Sequence, residues 1–274
     1  AQVKFVHTVA AGYVTGSMFV LGISSWYLLN KRDIGFARRS FSIASAFGLA
    51  SILSVIVLGD ESGYTSGETQ KIKLAAIESE WETHPAPASF TVFGFPDQEN
   101  ERTDFAIKIP FVLGLIATRS IDEDVKGLKD LRAESAERIK SGMVAYGELQ
   151  KLRAGDLSAK PAFEAHKADL GYGLLLKKYT DKVVDADAAM VAKAANDTIP
   201  RVAPLFWTFR VMVACGFTML FIFGMAFYYC ATRVADQKRW LMRMAVWGIP
   251  LPWIAAETGW FVAEVGRQPW TISG

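Results

Sequence analysis

The sequence predicts an all-α fold: a multi-pass transmembrane helical bundle carrying a largely helical extracytoplasmic loop domain. Three observations support this. Hydrophobic residues make up 51% of the 274-residue chain, and they crowd into two blocks at its ends while charge fills the middle. The end blocks hold apolar runs long enough to cross a hydrocarbon core of roughly 30 Å, which takes about 20 residues of helix. Between them, Ile121 to Lys193 is rich in Ala, Glu, Lys and Leu with the periodicity of solvent-exposed helices. The hydrophobic content excludes disorder, and a formal net charge of +2 excludes a polybasic nucleic-acid binder.

Each span has its own justification. Val3 to Leu29 is interrupted only by Lys4 and His7, both near its start. Phe41 to Gly59 carries no charge and is closed by Asp60 and Glu61. Pro204 to Ala231 is apolar except for Arg210 and ends in Phe227, Tyr228 and Tyr229, as an interfacial aromatic belt does. Trp240 to Val265 includes Arg243, Glu257 and Glu264, with Pro250 and Pro252 expected to kink it by removing backbone donors. The expected organisation is helices one and two over 1–59, a loop domain over 60–203, and helices three and four over 204–274. Lys31, Arg32, Arg38 and Arg39 place loop 30–40 on the cytoplasmic side, and Arg233, Lys238 and Arg239 do the same for loop 232–239. The long loop and the C-terminal end are then expected on the opposite, periplasmic face. The two cysteines, Cys215 and Cys230, fall in an apolar run and read as small hydrophobes. The chain opens on Ala1 with no charged n-region, so no signal peptide is visible and the start reads as cut or processed.

Several residues stand out against this background. His7 lies about four residues into the first span, roughly 6 Å below its outer boundary, where an imidazole needs a partner. A hydrogen bond to a neighbouring helix and ligation of a metal or haem both satisfy it. Met212 lies about eight residues into the third span, roughly 12 Å deep in the same outer half. It is either core filler or the partner of His7 on one haem, an axial pair that raises a reduction potential. Arg210 either faces a propionate or carboxylate or snorkels to the interface. Glu257, Glu264 and Arg267 follow at helical spacing, consistent with a salt bridge or with a carboxylate ligand steadied by arginine. Lys71, Lys73, Glu78, Glu80 and Glu82 read as the solvated face of an amphipathic helix, and His84 and His166 as isolated surface histidines. No nucleotide-binding glycine loop, Cys/His zinc pattern or catalytic serine motif is present.

The closing string Gly259-Trp260-Phe261-Val262-Ala263-Glu264-Val265-Gly266-Arg267-Gln268-Pro269-Trp270 resembles the GRQPW signature of cytochrome bd oxidase subunit I. Lys4 to Val9 and Phe209 to Phe217 resemble the family segments bearing the histidine and methionine ligands of its low-spin haem b. Gly59 to Tyr64 and Gln70 to Glu78 resemble the start of its quinol loop. The resemblance covers essentially the whole chain. It implies His7 and Met212 as axial ligands of low-spin haem b, with Arg210 beside it. It implies Lys73 and Glu78 as quinol-binding and quinol-oxidising residues, Glu264 as ligand of a high-spin haem b, and Arg267 as a contact of haem propionates. The implied activity is that of a quinol:oxygen oxidoreductase, oxidising ubiquinol or menaquinol and passing electrons toward dioxygen.

The implied partners are oxidase subunit II, small accessory subunits and membrane lipid, in the bacterial cytoplasmic membrane. Complete members carry further helices before and after the matched region, including the histidine ligand of haem d. The isolated chain is therefore expected to lack oxidase activity. The loop resembles the long-loop type. The alternatives are a non-catalytic membrane b-type cytochrome and a haem-free receptor or transporter component.

Overall fold

A computed structural model describes residues 2–117, 119–120 and 122–270. In chain order the elements are α1 (Gln2–Leu29), α2 (Ile34–Thr69), α3 (Lys71–Glu78), β1 (Phe90–Asp97), β2 (Arg102–Ile109), α4 (Val112–Ala117), α5 (Leu128–Arg153), α6 (Lys160–His166), α7 (Leu170–Leu174), α8 (Ala188–Asn196), α9 (Val202–Ala231), α10 (Arg239–Gly248) and α11 (Leu251–Val265). The chain divides into two compact units. One, the helix unit, is Ala1–Ser66 with Pro204–Glu264; the other, the loop unit, is Gly67–Ala203 with Val265–Gly274.

In the helix unit, α1, α2 and α9 are, among the described residues, the three helices long and apolar enough to cross a membrane. Their core is one cluster. Val14, Met18 and Leu21 of α1 share a helical stripe and meet Phe41, Ala44 and Ile52 of α2, Ile222, Phe223 and Ala226 of α9, and Leu241 and Ala245 of α10. Glycine sets the closest approaches. A β-carbon on Gly48 would stand 2.2 Å from the Phe223 ring, and one on Gly22 would stand 2.9 Å from the Ala245 carbonyl. Buried serines return their hydroxyls to their own helices, as Ser25 to the Leu21 carbonyl at 2.7 Å and Ser51 to the Phe47 carbonyl at 2.8 Å. Phe5, Tyr13, Phe19, Trp26, Phe36 and Phe217 point outward, a placement that suits lipid rather than water.

Two expectations about the spans change. Helix α2 runs past Gly59 to Thr69, because Asp60 and Glu61 end its apolar surface without breaking its ladder of i to i−4 hydrogen bonds. The fourth span is two helices, α10 of 10 residues and α11 of 15, broken at Ile249 and Pro250. The expected kink is thus a full break, since two prolines within three residues delete two donors.

The loop unit is built on α5. Ile139 of that helix packs with Leu176, Val183, Val191, Ala194 and Ala195 in a second core. Helix α7 approaches α5 so closely that a β-carbon on Gly142 would stand 2.4 Å from the backbone nitrogen of Gly173. Asp187 caps α8, accepting from the Met190 amide at 2.7 Å. The unit also contains an antiparallel hairpin, β1 with β2, ahead of the helical stretch. Its strands carry register shifts, and Phe93, Phe95, Phe105 and Ile107 lie exposed on it. Gln98, in the hairpin loop, accepts from the Val202 amide at 3.1 Å and so satisfies a donor at the start of α9.

Candidate functional site

The helix unit presents the candidate haem ligands on separate helices. His7 sits on the first turns of α1, half-buried, with its Nδ1 shielded from solvent. The ring rests against α2, where a β-carbon on Gly59 would come 3.4 Å from His7 Cε1, with the Val55 backbone as its polar neighbour. Met212 lies on α9 with its sulfur against α11, and a β-carbon on Gly259 would stand 2.9 Å from Sδ. Gly259 keeps open the space the Met212 sulfur occupies, whereas a β-carbon on Gly59 would make only ordinary contact with the His7 ring. Arg210 folds its guanidinium back over the Phe206 ring, 3.3 Å from the ring centre, and donates to the Phe206 carbonyl at 3.1 Å. Glu264 is half-buried in the last turn of α11, whereas Glu257 is exposed. An apolar groove of about 670 Å³ runs along α1 and α2, lined by Val6, Ala10, Tyr13, Phe47 and Val57; His7 does not line it.

An imidazole and a thioether are the donor types that low-spin haem iron takes, so by donor chemistry the residues present fit the group. Among the described residues no three His, Cys, Asp or Glu side chains converge as a metal cluster would require.

The loop unit corrects two expectations. Lys73, Glu78 and Glu80 are buried, at 8%, 3% and 1% exposure, rather than forming a solvated face. Helix α3 is only eight residues long, and Ala75, Ala76 and Ile77 are buried along with them, so it has too few positions to keep its charges on an outer stripe. The helix ends on Ser79 in the left-handed conformation, φ 57°, with the Ser79 amide returned to α3 carbonyls. Ser79 and Trp81 then both meet the Thr103 hydroxyl of β2, at 2.8 and 3.1 Å, which seats the hairpin on the end of α3.

His84 is likewise not isolated. Its Nε2 lies 2.8 Å from Oε2 of the buried Glu80 and 3.3 Å from Nζ of Lys108, and Lys108 Nζ lies 3.8 Å from the same Glu80 oxygen. Sequence reading missed this cluster because Lys108 arrives on β2, 24 residues from His84. His166 pairs with the Ser141 hydroxyl at 2.9 Å. Glu82, by contrast, is exposed, and the hydrogen bond from Lys129 holds its carboxyl below the ordinary value.

Arg267 belongs to the loop unit and follows the end of α11 at Val265, so it does not share a helix face with Glu257 and Glu264. Beyond it, Trp270 packs on Tyr172 with ring centres 4.6 Å apart, and Arg138 lies 4.1 Å from the same tyrosine ring.

A family model described as cytochrome bd terminal oxidase subunit I matches residues 1–274. The chain belongs to the cytochrome bd oxidase subunit I family. Among relatives of the cytochrome bd subunit I family, cytochrome bd-II ubiquinol oxidase subunit 1 of Escherichia coli (strain K12) is 48% identical over 274 residues, covering 99% of this chain and 53% of that protein. Cytochrome bd ubiquinol oxidase subunit 1 of Bacillus subtilis (strain 168) is 29% identical over 272 residues, covering 99% of this chain and 47% of that one. The chain therefore spans about half the length of the curated relatives it matches. The bd oxidase structure from Geobacillus thermodenitrificans superposes with a TM-score of 0.66 at 23% identity, over 98% of this chain and 47% of that one, and shares the fold.

Proposed function

We propose that this cytochrome bd family chain forms the quinol-oxidising, electron-accepting part of a membrane terminal oxidase that reduces dioxygen. The observation that carries this reading is the half-buried imidazole of His7 in the first turns of the largely apolar α1, with only the Val55 backbone as its polar neighbour. A polar ring at that depth needs a strong partner, and ligation of an iron by a ring nitrogen supplies one. His7 and Met212 would hold a low-spin haem b, Glu264 would ligate a high-spin haem b, and Arg210 and Arg267 would face propionates. Haem at these positions supplies a one-electron carrier between quinol and dioxygen.

In the loop unit, Lys73 offers an ammonium donor and Glu78 a carboxylate acceptor, both buried on α3. Together they suit a quinol, whose two hydroxyl groups need a donor, an acceptor and exclusion of water. Glu78 accepts a hydroxyl proton and Lys73 compensates the charge that develops on the oxygen. The loop is taken to lie on the periplasmic side, so that protons are released there. The positive residues of loops 30–40 and 232–239 support that orientation. The partners that go with this reading are ubiquinol or menaquinol, dioxygen, subunit II and haem d in the whole protein.

The test is a dithionite-reduced minus air-oxidised spectrum of the membrane-purified protein, for wild type, His7→Ala and Met212→Ala. A low-spin b-type signal in wild type that disappears in both variants is expected. A wild-type signal that survives both substitutions overturns the ligand assignment.

A further inference from the structure

We propose that Glu80 and His84 carry a proton of quinol oxidation from the buried turn at the end of α3 to solvent, an inference that rests on the quinol reading of Lys73 and Glu78. Oxidation of one quinol releases two electrons, taken one at a time by an acceptor of the haem class, and two hydroxyl protons. A buried carboxylate that takes such a proton must pass it on before the next turnover.

Glu80 lies two residues beyond Glu78, across the left-handed Ser79, and its side chain is 2% exposed. Its Oε2 lies 2.8 Å from Nε2 of His84, whose side chain is 41% exposed. A single hydrogen bond therefore joins a carboxylate closed to water with an imidazole open to it. Imidazole is the side chain that gains and loses a proton near neutral pH. Helix α3 has already ended at Glu78, so the pair is held by tertiary contacts: His84 bridges to Val125 through both backbone hydrogen bonds, at 3.1 and 3.2 Å. Lys108, 3.8 Å from the same Glu80 oxygen, gives the buried carboxylate a second cation whichever charge His84 carries. The imidazole can therefore cycle without stranding an unpaired buried charge. The other charged groups around the turn are already engaged: Glu82 with Lys129, Asp130 with Thr83, and Asp124 with the Ala86 amide.

The transfer balances. Glu80 takes at its carboxylate the proton that the quinol hydroxyl has given to Glu78, which returns Glu78 to its carboxylate, and hands it to the lone pair of His84 Nε2. The imidazolium releases its Nδ1 proton to water, and tautomer exchange restores the ring.

The experiment measures quinol turnover by the assembled oxidase in membranes for His84→Ala, His84→Gln and Glu80→Gln, in weak buffer and with added imidazole. The glutamine at position 84 keeps a hydrogen-bond donor for Glu80 but does not carry a proton. Both position-84 variants are expected to lose about tenfold in kcat or more, with KM and the haem spectrum unchanged and a larger D2O isotope effect. Added imidazole is expected to restore much of the rate to them and none to Glu80→Gln, whose site is closed to solvent. Wild-type turnover in the position-84 variants, or a loss that imidazole leaves untouched, reduces the pair to a structural ion bridge and overturns the relay. Failure of the underlying quinol reading is separate: it shows as wild-type KM and kcat in Lys73→Ala and Glu78→Gln.

Discussion

Met212 and Gly259 share one gap between α9 and α11, in which the sulfur occupies space that a β-carbon at position 259 would contest at 2.9 Å. Gly259→Ala is therefore expected to push the thioether aside. The reduced-minus-oxidised spectrum should lose or shift its low-spin b-type band, at a stability cost of about 1–3 kcal/mol. Gly216→Ala is the control: it lies on the same helix as Met212, and its β-carbon would meet nothing within 4 Å. An unaltered band in Gly259→Ala would remove the argument that this glycine positions the ligand.

The Gly142–Gly173 approach makes a sharper stability prediction. A β-carbon on Gly142 would stand 2.3 Å from the Asp169 carbonyl oxygen, so backbone rather than a yielding side chain must move. Gly142→Ala is expected to cost roughly 2–3 kcal/mol in denaturant unfolding of the loop unit, despite the better helix propensity of alanine. Gly147→Ala, which would meet only the Val184 side chain at 3.4 Å, should be far milder. Equal effects of the two substitutions would show that α5 and α7 do not pack this closely.

Lys73→Ala and Glu78→Gln are each expected to lower kcat/KM for quinol by about 100-fold while leaving the dithionite-reduced haem spectrum intact. The two losses should not add, because one side chain stabilises the charge that the other helps create. Additive losses measured in the double variant would argue for independent roles.

Asp197 supplies a pH prediction. Partial burial pushes its carboxyl up, but hydrogen bonds from Lys178 at 2.8 Å and Tyr179 at 2.6 Å outweigh this and hold it below the ordinary 3.8. With the folded value below the unfolded one, the stabilisation is complete above pH 3.8 and is lost as pH falls through the folded value. Asp197→Asn should cost about 1 kcal/mol or less at neutral pH, given that the carboxylate is partly open to solvent. Hydrogen exchange of α8 amides reads this, and the wild-type advantage should vanish in strong acid.

The sequence by itself determined the membrane-crossing helices, because hydrocarbon leaves no alternative to long runs of apolar helix. Which face of them is buried, as at Val14, Met18 and Leu21 of α1, was decided by packing, since α1 is apolar all round. The GRQPW string, His7, Met212 and the Lys73/Glu78 pair were legible as family motifs. The hairpin left a weaker trace: Phe105, Ile107 and Ile109 alternate with Ala106 and Lys108, a strand period hidden among charged neighbours. What only the tertiary structure decided was the state of the charges. Burial of Lys73, Glu78 and Glu80 depends on what packs over a two-turn helix, and the meeting of Glu80, His84 and Lys108 depends on a hairpin folding back onto its end. Hydropathy and periodicity report what one segment does with its own neighbours. Whether a charge meets water or a partner is settled by residues distant in the chain.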